Sequence, residues 1–474
     1  MPINLDLTQN DNVPSKSDII LQPFASSPLE VLEDTDTDDS SPAIDDEIQL
    51  KYKIWKKNTP LLYDYIQTST LLWPSMSVEW FPDVESHGNV NIQRLLLGSY
   101  SNGYNSFENL QLCTIKVPKS VEGLTLKDCE FDSDKHEFTT SNYPIANNDG
   151  NCKGALHMVQ QIPHQGDINK ARLMPQNPDL LATISNNGSV NVFDRTKKPN
   201  GCDSRELSKS RKVFDDEEEE STCLSDIKLQ FHTGDGWGLD WNKFKEGELV
   251  TGASDGSIAL WDIRDGFKKP QRSSNAVTAT SHRKFKTCIL SPISTLFCHD
   301  YGVNTVQYVW FHDSLIGTAG EDHKFKMFDT RSLDGNPVIQ ITLQHPINTL
   351  DFNKQDQYGL VLGDDKGNLL IEDIRYPERP QIVISNAHSD SITAVAWNHE
   401  YGNILGSSST DGLVKLWKFG SGESSTIEHK LIFTHGGHML GVSDIAWNPN
   451  DPKMLASCSD DNSVHVWKPS QAVF

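Results

Sequence analysis

Long apolar runs are missing from this chain. It has no 18-residue apolar stretch and no N-terminal signal pattern, so the sequence predicts a soluble, intracellular protein without membrane contact. Cysteine is scarce. Eight thiols (113, 129, 152, 202, 223, 288, 298, 458) are scattered with no C-x-x-C, which argues against a disulfide frame and a zinc site and reads as reduced cysteine. Positive charge is also short: 42 Lys and Arg face 65 Asp and Glu, a net charge of −23. Such a surface repels nucleic acid and attracts basic proteins, so direct sequence-specific nucleic acid binding is not expected. No P-loop and no G-x-G-x-x-G after a strand occurs. Neither catalysis nor a cofactor is expected.

What is present is a repeat. Six stretches end on one short pattern: Phe193–Thr196, Trp261–Arg264, Phe328–Arg331, Glu372–Arg375, Trp417–Gly420 and Trp467–Ser470. A histidine precedes the second residue of the pattern by 30 positions for His164, His232, His299, His388 and His438, and by 28 for His345. A turn residue (Asn187, Asp255, Asp322, Asp411, Asp461) lies seven positions before most of these ends, and Asp365 eight before its own. Successive histidines are 68, 67, 46, 43 and 50 residues apart, and the shorter spacings match WD-type propeller blades. Val190–Phe193, Ile258–Trp261 and Val464–Trp467 are β-rich runs after tight turns, with a second strand before each turn. Each copy is then a small antiparallel sheet that buries its faces only against neighbouring copies.

Six copies are plain, and residues before His164 must supply a seventh. Arg94–Ser99, Leu110–Pro118 and Gly154–Ile162 read as its strands, and Val78–Phe81 as the outer strand that closes the last blade. The expected fold is all-β: a seven-bladed WD-repeat propeller over 71–470, with an N-terminal α-helix (44–70) packed on the ring. A disordered acidic tail, 1–43, precedes it. The first 50 residues hold twelve acids and one base, Lys16. In the helix, Ile48, Tyr52 and Trp55 recur at helical spacing, and Thr59-Pro60 starts a further turn carrying Leu61, Leu62, Tyr65 and Ile66.

Two insertions exceed ordinary loop length. The acidic one, 197–231, contains Asp215–Glu220; the basic one, 264–298, contains Lys268, Lys269, Arg272, Arg283, Lys284 and Lys286. Solvated loops and partner contacts are both open readings, and Lys209–Lys212 and His282–Lys286 read equally as import signals or loop. The recurring histidines are spread one per blade, so with Asp255, Asp322, Asp411 and Asp461 they form a structural network. No metal is expected, and His435–His438 lacks zinc spacing.

Lys51–Asp83 (KYKIWKKNTPLLYDYIQTSTLLWPSMSVEWFPD), Ile168–Thr183 and Ile432–Pro452 resemble the retinoblastoma-binding, Msi-type family of histone-binding WD-repeat proteins. The resemblance runs from about Ile44 to Lys468. The C-terminal strings are most similar to the branch holding the small subunit of fungal chromatin assembly factor one. The resemblance implies a nuclear protein, alone or also cytoplasmic, and a non-catalytic subunit. It would escort histones three and four with the larger subunits of a chromatin assembly complex, for replication-coupled nucleosome assembly. Two other readings stay open: the histone-recognition subunit of an acetyltransferase or deacetylase complex, and a substrate adaptor of a ubiquitin ligase.

The resemblance also implies two binding places. The channel mouth would hold a histone tail through Asp167, Asn169, Asp235, Trp237, Asn304, Asn348 and Asp460. Carboxylates there would pair Arg or Lys, and Trp237 would cover a cation. The N-terminal helix would hold a histone helix through Leu61, Leu62, Tyr65 and Ile66. Departures from the family are Asn304 and Ser391 in place of acids, Thr393 in place of an aromatic, and Gly420–Lys430 without an acidic-proline run.

Overall fold

The computed structural model describes residues 46–105, 107–119, 130–132, 137–139, 156–198, 225–267, 287–378, 381–421, 427–471 and 473. The tail 1–43, the runs Asp215–Glu220 and Lys268–Lys286, and Lys209–Lys212 lie outside the described residues.

Seven antiparallel sheets form the ring. Their innermost strands are Ser75–His87, Ile168–Met174, Gly236–Trp241, Val303–Tyr308, Ile347–Phe352, Ile392–Trp397 and Val442–Asn448, which begin blades 1 to 7. Apolar clusters form between neighbouring blades, for example Trp241 and Trp261 with Ile184, Val192 and Leu229 between blades 2 and 3.

An inner strand is the edge of its sheet, so its outer N–H and C=O groups have no ladder partner. Side chains of the adjoining blade supply one at every junction. Asp444 accepts from Val78 N (3.1 Å), Glu79 from Leu173 N (2.6 Å), Asp240 from Tyr308 N (2.8 Å), Gln307 from Phe352 N (3.1 Å) and Asp351 from Trp397 N (2.7 Å). The junctions without such an acceptor use indoles: Trp241 Nε1 donates to Arg172 O (3.0 Å) and Trp447 Nε1 to Ala396 O (2.9 Å).

Within blades, the repeated histidine ties the outer turns together. His232 Nε2 meets Thr251 Oγ1 at 2.7 Å, and Trp261 Nε1 donates to that hydroxyl at 2.8 Å. His299 bonds Thr318 and Asp322; His388 bonds Ser407 and Asp411. In blades 3 and 7 a serine stands between: Ser257 joins His232 to Asp255, while His438 bonds Ser463 and Asp461 accepts from Met439 N. His164 instead meets Gly166 O, because Asn187 stands where the acid would be.

The ring closes differently from the sequence reading. The outer strand of blade 7 is Tyr63–Thr70, paired antiparallel with Ser463–Pro469 in the register Ile66↔Trp467 and Thr68↔His465. Val78–Phe81 belongs to the inner strand of blade 1, where Val78, Trp80 and Phe81 are buried; a strand burying both faces suits the inside of a ring, not its rim. The helix is correspondingly shorter than 44–70. Helix α1 spans Asp46–Leu62 and gives way to the β-branched run that closes the ring. It passes Pro60 because Thr59 Oγ1 donates to Lys56 O (2.7 Å), the carbonyl that a proline N–H would have served. Within the basic insertion, Ser294–Phe297 is the outer strand of blade 3, and Cys288–Leu290 adds a parallel fifth strand to blade 2.

Blade 5 lacks the histidine network. Glu372 occupies the tryptophan position, and Leu362 stands ten residues before it where the other blades have the hydroxyl. Glu372 is 1 % exposed, its Oε2 has no partner, and burial pushes its carboxyl up to about 7. A carboxyl raised on folding favours the folded state below its ordinary value, and that stability is lost as pH rises through about 7. Glu372→Gln therefore melts several degrees above the parent at pH 8 and close to it at pH 5. Thermal unfolding at the two pH values checks this.

Candidate functional site at the channel mouth

The inner strands surround a central cavity of about 1310 Å³, whose lining runs from the starts of these strands to residues just past their ends. Each blade offers two positions there. The second residue of the inner strand is Asn169, Trp237, Asn304, Asn348, Thr393 or Ser443 in blades 2 to 7. The residue after the second strand is Glu321, Asp365, Thr410 or Asp460 in blades 4 to 7. Tyr301 and Pro346 reach the cavity from the loops before two inner strands.

Of the seven mouth residues expected from the sequence, five line this cavity: Asn169, Trp237, Asn304, Asn348 and Asp460. The asparagines spend their NH₂ groups on the next blade: Asn169 to Gly236 O (2.9 Å), Asn304 to Ile347 O (3.0 Å) and Asn348 to Ile392 O (3.2 Å). Thr393 does the same toward Val442 O (2.6 Å). These side chains therefore serve the ring first. Asn169 Oδ1 is buried with no partner.

Asp167 is a correction. It is 1 % exposed and accepts from Ser101 N (2.9 Å), Gly103 N (2.8 Å) and Asn186 Nδ2 (2.9 Å), so it ties two loops together and is not presented to a ligand. Asp235 is exposed and carries no ion pair. Asp460 is exposed as a residue and accepts from Ser443 Oγ at 3.0 Å; partial desolvation raises its carboxyl. Burial first, and the carboxylates of Asp167, Asp235 and Asp460 second, raise the Tyr100 phenol.

Sequence reasoning missed Glu321, Asp365, Tyr100 and Tyr301. The signal for Glu321 is a doublet: the pairs Ser254-Asp255, Glu321-Asp322, Thr410-Asp411 and Asp460-Asp461 recur at one register, whereas Asp365 is followed by Lys366. The second member closes the turn, and the first points to the mouth. Glu321 is exposed and has no ion pair, and Tyr301 is 66 % exposed beside it. The mouth thus presents Asp235, Glu321, Asp365 and Asp460 with Trp237 and Tyr301, a surface that suits a cationic peptide.

The expected helix site is also corrected. Tyr65 and Ile66 lie in the closing strand; Tyr65 is buried and donates to Lys116 O (3.2 Å), and Ile66 packs into the core between blades 6 and 7. Leu62 ends α1 against that core, and the side chain of Leu61 is outside the described residues. The apolar residues that α1 exposes are Leu50 and Ile54.

Two chemical alternatives fail on geometry. The string Gly252–Gly256 fits the G-x-S-x-G pattern of hydrolases, but Ser254 sits in a strand-to-strand turn, not a strand-to-helix elbow. Among the described residues, one group of three possible metal ligands occurs, His435, His438 and His465. Both nitrogens of His438 meet serine hydroxyls, Ser463 and Ser457 at 2.8 Å each, and the other two rings hydrogen-bond each other.

Asp167 and Asp235 should separate on substitution. Asp167→Lys leaves the Ser101 and Gly103 N–H groups unpaired, the first of them buried, puts a cation in a buried position, and costs about 3 kcal/mol of stability. Asp235→Lys leaves the melting temperature within a degree or two. Chemical denaturation of both variants measures the difference.

Residues 51–119 match the family model described as histone-binding protein RBBP4 or the C component of the CAF1 complex. Residues 379–418 and 429–468 match WD domain, G-beta repeats. The chain is 33% identical over 286 residues to histone acetyltransferase type B subunit 2 of Schizosaccharomyces pombe; the match covers 60% of this chain and 56% of that protein, little more than half its length. The chain is a WD-repeat propeller whose residues 51–119 match the RBBP4-type histone-binding model.

Proposed function

We propose that this chain is a non-catalytic, histone-binding subunit of a nuclear chromatin complex. The observation that carries the reading is the mouth: carboxylates and aromatics from blades 3, 4, 5 and 7 line one cavity. A lysine- and arginine-rich histone tail complements both features. The segment that matches the histone-binding family model supports the same reading. The exposed side of α1, carrying Leu50 and Ile54, is the second contact, for a histone helix.

Between complexes, we infer chromatin assembly with histones three and four, on the likeness of the C-terminal strings. The likeness to the fission-yeast protein favours a second reading, the recognition subunit of a type B histone acetyltransferase. Affinity purification of the full chain distinguishes them by its co-purifying partner, either large assembly subunits or an acetyltransferase.

The tail-binding claim has a direct test. Asp235→Lys combined with Glu321→Lys should weaken a fluorescent histone-three tail peptide at least tenfold, because each charge-assisted contact contributes about 1.5–3 kcal/mol. The loss shrinks as salt rises. Trp237→Ala should weaken binding with little change in salt dependence. Anisotropy titrations at two ionic strengths read both effects, and unchanged affinity in the double variant removes the mouth as the tail site.

A further inference from the structure

α1 meets the ring through Tyr52, Trp55 and Leu62, and the buried one, Trp55, ends a chain of neutral polar groups. Trp55 Nε1 donates to Tyr63 Oη at 2.8 Å. Tyr63 Oη lies 2.7 Å from His435 Nδ1, and His435 Nε2 lies 3.1 Å from His465 Nδ1. The rings are packed as tightly as they are bonded. Trp55 stacks over His465 with centroids 6.0 Å apart, His435 over Trp467 at 4.6 Å and His438 over His465 at 4.0 Å. His435 is fully buried, and Trp55, Tyr63, His438 and His465 are all nearly so. Gly437 makes room: a Cβ there would lie 2.5 Å from the Trp55 ring.

The direction of the chain is forced. An indole N–H only donates, so Tyr63 Oη accepts it and passes its own proton to His435 Nδ1. The His435 proton is then on Nε2 and is donated to His465 Nδ1. The two links beyond Tyr63 end on His435 Nδ1 and His465 Nδ1, ring nitrogens that a protonated imidazole would not offer as acceptors. The titratable and charged groups around the chain give little compensation. α1 contributes Tyr52, the closing strand Tyr63, and blade 7 contributes His438, His465 and Asp461, whose carboxylate lies 3.8 Å from His438 Nδ1. Burial first, and neighbouring histidines second, hold His435 and His465 well below the ordinary imidazole value.

We propose that α1 is held on the closing blade by a proton-sensitive clasp, Trp55–Tyr63–His435–His465, which opens when these histidines take up protons. The sign follows from linkage. A docked state that keeps a histidine neutral is stable above the free imidazole value of about 6.5 and weakens as pH falls below it. Each histidine freed on undocking raises the undocking equilibrium about 30-fold between pH 7.5 and pH 5.0. Leu50 and Ile54, the exposed apolar residues of α1, leave with the helix. The clasp is independent of whether a histone binds there.

The test is hydrogen–deuterium exchange on the full chain at pH 7.5 and 5.0, corrected for the intrinsic pH dependence of exchange. Amides of Asp46–Leu62 should lose about 30-fold or more of their protection at pH 5.0, while those of Gly236–Trp241 keep theirs. His435→Phe with His465→Phe keeps the ring volumes and should reduce the pH effect on α1 to a few-fold. Unchanged helix protection in the parent overturns the clasp. So does a loss shared by the inner strands, which would be general acid unfolding, or a loss of the same size in the double variant. If the double variant does not fold, the parent series alone still decides.

Discussion

The structure depends on one interaction: a polar side chain on one inner strand bonding the unladdered backbone of the next. A propeller has seven sheet edges facing its axis, and each would otherwise leave N–H and C=O groups without ladder partners. Asp444, Glu79, Asp240, Gln307 and Asp351 cap the N–H side, while Trp80, Trp241 and Trp447 cap the C=O side. Because the partner is always on the neighbouring blade, every cap is also a joint. The charges that line the channel are therefore first of all structural. Arg172, at 3.2 Å from Asp444, balances one of them.

This ordering decides which mouth residues are free. Asn169, Asn304 and Asn348 look like ligand-binding amides in sequence, yet their NH₂ groups are joints. Asp167 looks like a rim acid and is a loop tie. Asp235 and Glu321 have no such duty, and they lie beside Trp237 and Tyr301. A binding surface assembled from the residues the ring does not need can change its charge without changing the fold.

The repeat was legible because its chemistry is local. His232 and Trp261 meet one hydroxyl inside a single blade, so their spacing is constant and readable. The closing strand was not legible. Tyr63–Thr70 pairs with residues about 400 positions away, and nothing local distinguishes it from the end of α1. Pro60 pointed to a new start, but the Thr59 hydroxyl conceals it within one helix. The free acids were legible in principle through the doublets Glu321-Asp322 and Asp460-Asp461. The fate of Asp167 depends on Ser101 and Gly103, whose distance in sequence gives no hint of contact.

The central claim is that the free acidic and aromatic groups of the mouth, and not the structural charges deeper in the channel or the surface of α1, receive a basic tail. Photo-crosslinking tests it most directly. A histone-three tail peptide carrying a photoreactive group next to its second basic residue should label peptides containing Trp237, Tyr301 or Glu321. Labelling confined to Asp46–Leu62, or spread over the outer blade surface, would contradict the account.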